Sequence, residues 1–93
     1  MARRLIYALA AARDLTNVAD WLTQPGAGHR AHKKLDDLMD AIESVIDRPL
    51  QYPRDLQNPA SRLVIIHGYA VRFQVEADGS IIVERIFGPG QKR

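Results

Sequence analysis

The sequence contains no cysteine. No disulfide and no thiolate metal site can therefore staple the fold, a pattern that suits a reducing compartment and leads us to expect a cytoplasmic protein. A long apolar run is also missing. Nothing approaches the roughly 20 apolar residues that a membrane-spanning helix needs, so no membrane role is expected. The opening MARRLIYALAAAR places an apolar stretch of only about eight residues behind two arginines. Arg13 and Asp14 then interrupt it, and no small-residue cleavage site precedes a polar start, so it is not expected to act as a secretory leader. Charge of one sign is scarce too: the formal net charge is +2. The excess lies in the last third, where Arg62, Arg72, Arg85, Lys92 and Arg93 stand against Glu76, Asp78 and Glu84. That permits an anionic partner but falls short of a nucleic-acid-binding stripe.

What is present is one small domain, residues 1–93, with a modest buried fraction. Residues 3–8 (RRLIYA) read as a short strand. Ala11, Leu15, Val18 and Leu22 recur at helical spacing and predict a helix over 9–23, closed by the proline and glycines of TQPGAG. Leu35, Leu38, Met39, Ile42, Val45 and Ile46 form the stripe of a second helix over 28–47, which stops before Pro49. The two helices make an αα-hairpin with one shared apolar side. Residues 48–61 hold three prolines without periodicity and read as a surface connection, with at most one helical turn. Three strands follow: Arg62–His67, Tyr69–Glu76 and Ser80–Phe87. Asp78-Gly79 suggests a two-residue type I′ hairpin between the last two. The tail from Gly88 to Arg93 is expected to be flexible. The order is β-α-α-β-β-β, an α+β domain with a helical hairpin packed on a mostly antiparallel sheet.

A two-residue turn at Asp78-Gly79 fixes a register: Ala77 opposite Ser80, Val75 opposite Ile82, Phe73 opposite Glu84, and Arg72 opposite Arg85. Like charges that face each other across strands repel by some tenths of a kcal/mol. Such a pair either splays into solvent or holds an anion. A three-residue loop would shift the register by one and dissolve the pair. Glu84 fits this scheme poorly, because it shares a face with Ile82 and Ile86, which should be buried. It either lies near a sheet end or pairs with a cation from the helices.

Other clusters point to ordinary structure. His29 and His32 are spaced i, i+3 without a placed acidic third ligand, so no metal site is assigned. Ser44, Ser61 and Ser80 lack a nucleophile-elbow context. Asp36, Asp37, Asp40 and Glu43 read as a solvated helix face, paired in part with Lys33 and Lys34. Trp21, the single tryptophan, is expected in the core or between the helices. No cofactor is implied.

The element order, the helix ending in DRP (47–49), and the stretches RLVI (62–65), GYAVRFQVEADG (68–79) and IIVERIFG (81–88) resemble the RelE/ParE superfamily, the toxins of bacterial type II toxin–antitoxin systems. The ParE-type pattern near the end is apolar-apolar-x-Arg-apolar-apolar-His-Gly. Val83 to Gly88 aligns Arg85 with the family arginine and puts Gly88 where the histidine is expected. The resemblance implies a ParE-like protein that inhibits DNA gyrase, is neutralised by a cognate antitoxin, and forms a hetero-oligomer with it. RelE-type relatives instead cut mRNA on the ribosome with a cluster of cations. Where they carry arginine after the GY of this strand, the sequence has Ala70. Where they carry arginine after the glycine that ends the last strand, it has Pro89-Gly90-Gln91. Their C-terminal tyrosine has no counterpart before Arg93. These differences imply that the protein is not a nuclease, and no catalytic residue is assigned. Arg72 and Arg85 are the candidates should nuclease chemistry survive, and a member that has lost toxicity and only binds antitoxin is a further alternative. The candidate target-binding residues are Tyr69, Arg72, Arg85, Lys92 and Arg93.

Overall fold

The computed structural model describes residues 4–92. Strand β1 (Leu5–Tyr7) leads into helix α1 (Leu9–Leu22), and helix α2 (Gly28–Ser44) runs back beside it. A single 3₁₀ turn at Pro49–Gln51 follows, then β2 (Arg54–Asp55), β3 (Asn58–Ile66), β4 (Tyr69–Val75) and β5 (Ile81–Phe87). The five strands lie in the order β1-β5-β4-β3-β2. β1 runs parallel to β5, and every other pairing is antiparallel. The expected α+β architecture is thus present, with the helices on one face of the sheet. None of the described helices is long and apolar enough to cross a membrane.

The core joins Ala11, Leu22, Leu38, Ile42 and Val45 of the helical layer to Val64, Tyr69, Val71, Phe73, Ile81, Val83 and Ile86 of the sheet. Phe73 is fully buried, with Tyr52 packed edge-to-face on it at 5.9 Å. A second, smaller cluster on the opposite face holds Leu63, Ala70 and Phe87, and no helical residue joins it. One sheet face is therefore covered and the other open.

Four features depart from the sequence reading. The connection 48–61 contains a strand, β2, and β3 begins at Asn58 rather than Arg62. Of β3, only Arg62–Ile66 pair with β4, so the first residues of β3 lie beside β2 alone, where Pro59 removes no central ladder bond. The second helix ends at Ser44, and residues 45–47 continue as turns. The β4–β5 loop is three residues long: Glu76 N–H bonds Ser80 O, Gly79 N–H bonds Glu76 O, and positive φ falls on Gly79 but not on Asp78. The two-residue I′ turn lies instead at His67-Gly68, where φ is 51° and 81°.

The fourth departure concerns register. The longer loop shifts the ladder by one, to Val75↔Ile81, Gln74↔Ile82 and Phe73↔Val83. A bulge then leaves Glu84 without a partner and shifts it back, to Arg72↔Arg85, Val71↔Ile86 and Ala70↔Phe87. The arginine pairing survives although the turn that was meant to fix it does not form. The bulge also removes the Glu84 anomaly. Ile81, Val83 and Ile86 face the helices, and Glu84 belongs with the open face rather than with the core.

Candidate functional site

The open face near the C-terminal half of β5 holds the candidate arginines. Position 72 alternates outward on β4, and the bulge turns position 85 to the same side. Both guanidinium carbons stand over the ring of Phe87, Arg72 at 5.4 Å and Arg85 at 5.1 Å from its centroid. The aromatic face between them attracts both cations and offsets part of their repulsion.

Each arginine also has its own carboxylate. Arg85 Nε donates to Asp14 Oδ2 at 2.7 Å, and its Nη2 donates to Asp14 Oδ1 at 3.2 Å. The same Asp14 Oδ2 accepts the Ile86 N–H at 2.9 Å. That contact exists because β1 covers only Ile81–Val83 of β5. Beyond Val83 the strand edge is bare, and a carboxylate from α1 fills the place of a neighbouring strand. Partial burial works against the charged form of Asp14. The Arg85 guanidinium and the Ile86 N–H outweigh it and hold the carboxyl below the usual range, while Asp14 in turn raises the Arg85 pKa.

Arg72 pairs more loosely with Glu84, at 3.8 Å from Nε to Oε1. Glu84 is held by two further donors, the hydroxyl of fully buried Ser61 and the Gln74 amide at 3.2 Å. The expectation of a sheet-end position or a helix partner for Glu84 is thus replaced by an open-face network of Ser61, Gln74 and Arg72. The Arg72 Nε itself is buried without a hydrogen bond. It borders a hollow of about 360 Å³ shared with Gln74, Glu76, Ile82, Glu84 and Arg85.

The five candidates do not converge. Tyr69 lies on the helix side, where burial raises its phenol pKa. It lines a separate groove of about 300 Å³ with Val18, Trp21, Ile86 and Pro89. Trp21 is 66% exposed on this rim rather than in the core, and its neighbour Leu22 takes the buried place on that turn of the helix. Lys92 is exposed beyond a turn in which Gln91 N–H bonds Gly88 O and the Gln91 side chain accepts from Gly88 N–H. Arg93 lies outside the described residues. Sequence reasoning missed Asp14 and Phe87. Phe87 was recoverable from strand alternation two residues after Arg85. Asp14, 71 residues from its partner, carried no local signal.

A family model described as the ParE toxin of the type II toxin–antitoxin system parDE matches residues 5–91. No curated protein sequence is significantly similar. Among solved structures, the chain is similar to one from the chromosomal ParDE system of P. aeruginosa, with 21% identity, a TM-score of 0.75, and coverage of 95% of this chain and 97% of that one. It is also similar to a chain of the intact E. coli RelBE complex, with 15% identity, a TM-score of 0.67, and coverage of 98% and 100%. A chain of the RelBE2 toxin–antitoxin complex from Mycobacterium tuberculosis matches with 12% identity, a TM-score of 0.65, and full coverage of both chains. At these identities the structures speak for a shared fold.

Proposed function

Because the chain belongs to the ParE toxin family of type II toxin–antitoxin systems, we propose that it acts by binding rather than by cleavage: it inhibits DNA gyrase and is neutralised by a cognate antitoxin. The observation that carries this reading is the state of the two open-face arginines. A ribosome-dependent nuclease needs cations free to meet a phosphate as charge develops on it. Here Arg85 is committed to Asp14 and Arg72 faces Glu84, so the pair is close to neutralised from within. Ala70, nearly buried between Leu63 and Phe87, contributes no third cation. The antitoxin part of the reading is supported by the similar ParDE and RelBE structures, which come from toxin–antitoxin systems.

The test is a supercoiling assay with purified protein and gyrase, together with a search for trapped cleaved DNA. Inhibition with trapped breaks is expected, and the absence of both would sink the reading. Nuclease action retains one supporting observation, the buried Arg72 Nε that lacks a hydrogen bond at the edge of the open-face hollow. Primer extension on translated mRNA after induction distinguishes it, since new 5′ ends would favour the nuclease over the gyrase inhibitor.

A further inference from the structure

The turn between β2 and β3 carries the most exposed large apolar side chain among the described residues. Leu56, in the turn Leu56-Gln57, is 95% exposed. The turn itself is fixed. Buried Asp55 accepts the Gln57 N–H on Oδ1 at 3.0 Å, which closes the backbone around Leu56. A leucine held out by a fixed turn loses little freedom when a partner covers it. Leu50, 65% exposed, belongs to the 3₁₀ turn, and two arginines link the two leucines. Arg62 Nη1 donates to Leu50 O at 3.4 Å and to Tyr52 O at 2.8 Å. Arg54 faces Arg62 across β2 and β3, stands two residues before Leu56, and donates from Nη1 to Pro59 O at 2.9 Å.

These two arginines differ from the open-face pair. Arg72 and Arg85 each have a carboxylate, whereas among the described residues Arg54 and Arg62 meet carbonyls only. Like charges directly opposite across strands repel, so the pair keeps an unneutralised charge that an outside carboxylate or phosphate can relieve. The leucines decide between those two. A single exposed leucine needs no explanation. Two leucines bordering two unneutralised arginines, whose guanidinium groups are aimed by main-chain carbonyls, form the mixture that protein interfaces use, an apolar contact flanked by arginine. A nucleic-acid backbone would take the arginines and leave Leu56 in water. The patch therefore fits a protein.

We infer that the β2–β3 turn is a protein-docking element: Leu56 enters an apolar socket on the partner, and carboxylates on the rim of that socket meet Arg54 and Arg62. Leu50 extends the apolar contact from the 3₁₀ turn. Side chains make this contact, and no strand is added to the sheet. The inference rests on the reading of the chain as a gyrase inhibitor and names the turn as the surface that meets the gyrase protein.

The experiment measures binding of the full chain to purified gyrase, with and without DNA. Leu56→Ala leaves the urea midpoint unchanged, because the side chain is almost wholly in solvent, and raises the Kd at least about tenfold. Leu56→Asp raises it further by repulsion from the acidic rim. Arg54→Gln, which keeps a donor for Pro59 O, weakens binding and makes it less sensitive to salt. Leu9→Ala, which removes an exposed leucine from α1, leaves the Kd unchanged. If wild type and Leu56→Ala bind gyrase equally, the turn is not the docking element and the gyrase reading stands. A loss confined to Arg54→Gln, and seen only with DNA present, overturns the inference in favour of phosphate contact. An effect of Leu56→Ala confined to binding of the cognate antitoxin overturns it in favour of that partner. If the wild type does not bind gyrase, the gyrase reading falls and this inference with it.

Discussion

Arg72 and Arg85 face each other across β4 and β5, and the ring of Phe87 lies within 5.4 Å and 5.1 Å of their guanidinium carbons. Two cations in that position would repel each other in isolation. In this fold the ring and two carboxylates, Asp14 and Glu84, convert them into ties that join α1, β4 and β5. The arginines therefore support the geometry of the open face before they support any ligand.

The Asp14 tie makes stability depend on pH with a definite sign. A carboxyl whose folded pKa lies below its unfolded value stabilises the fold above that unfolded value, about 4. The stabilisation is lost as pH falls through the lowered folded value. Asp37, lowered mainly by His67, and Asp78, lowered mainly by the Ser80 N–H, act in the same direction. Urea midpoints should fall below pH 4 in the wild type. Asp14→Asn should flatten that fall in part while lowering stability near neutrality. A wild-type profile with no acid slope would remove this role from Asp14.

Glu84 is expected to keep Arg72 from binding anions. Glu84→Gln retains groups able to meet Ser61 and Gln74 but removes the charge opposite Arg72. Its stability cost should stay under about 1 kcal/mol, as for other partly exposed pairs. Titration with inorganic phosphate, followed at the Arg72 Nε–H by NMR, should show saturable shifts in the variant and little change in the wild type. Equal shifts in both proteins would mean that Glu84 does not screen the cation.

Ala70 offers a direct test of the line between the two chemistries. Ala70→Arg inserts a long cation into a nearly closed site between Leu63 and Phe87. Overpacking and a third like charge should cost about 1–3 kcal/mol by urea unfolding. Primer extension should still show no cleavage, because Arg85 remains bound to Asp14. New mRNA ends in this single variant would show that one residue withholds the nuclease reaction.

Gly68 is expected to be intolerant for two separate reasons. Its φ is +81°, and an added Cβ would meet Pro89 Cγ at 3.2 Å. Gly68→Ala should destabilise the protein by about 1–2 kcal/mol through the backbone alone. It should also shift the amide resonances of Gly88 to Gln91, because Pro89 has to move. Loss of stability with an unmoved tail would assign the whole effect to the backbone.

The helices, β4 and β5 were legible because their periodicities are local and strong. Leu38 and Ile42 are buried as their spacing requires, and Val71 and Phe73 alternate inward. β2 was not legible, since a two-residue strand in a proline-rich stretch has no period to detect. Trp21 was misplaced because a large apolar side chain was expected inside, whereas it lies off the Ala11-Leu15-Val18-Leu22 stripe and Leu22 fills the buried place beside it. The Asp14–Arg85 bond is set by the length of β1, which decides how much of β5 is left bare. The Arg72–Arg85 pairing came out of the sequence through an argument with two missing pieces, a residue in the loop and a residue in the strand.

Those two pieces have a consequence for how the chain can change in length. The extra loop residue moves β5 one step along β4, and the bulge at Glu84 moves it one step back. Either residue could be lost on its own. With one loop residue fewer, Val75 still meets Ile81, and without Glu84 the step from Phe73↔Val83 to Arg72↔Arg85 becomes a regular ladder. Loop and bulge therefore tolerate changes in length independently, and what is lost with Glu84 is the carboxylate beside Arg72 rather than the facing of the strand.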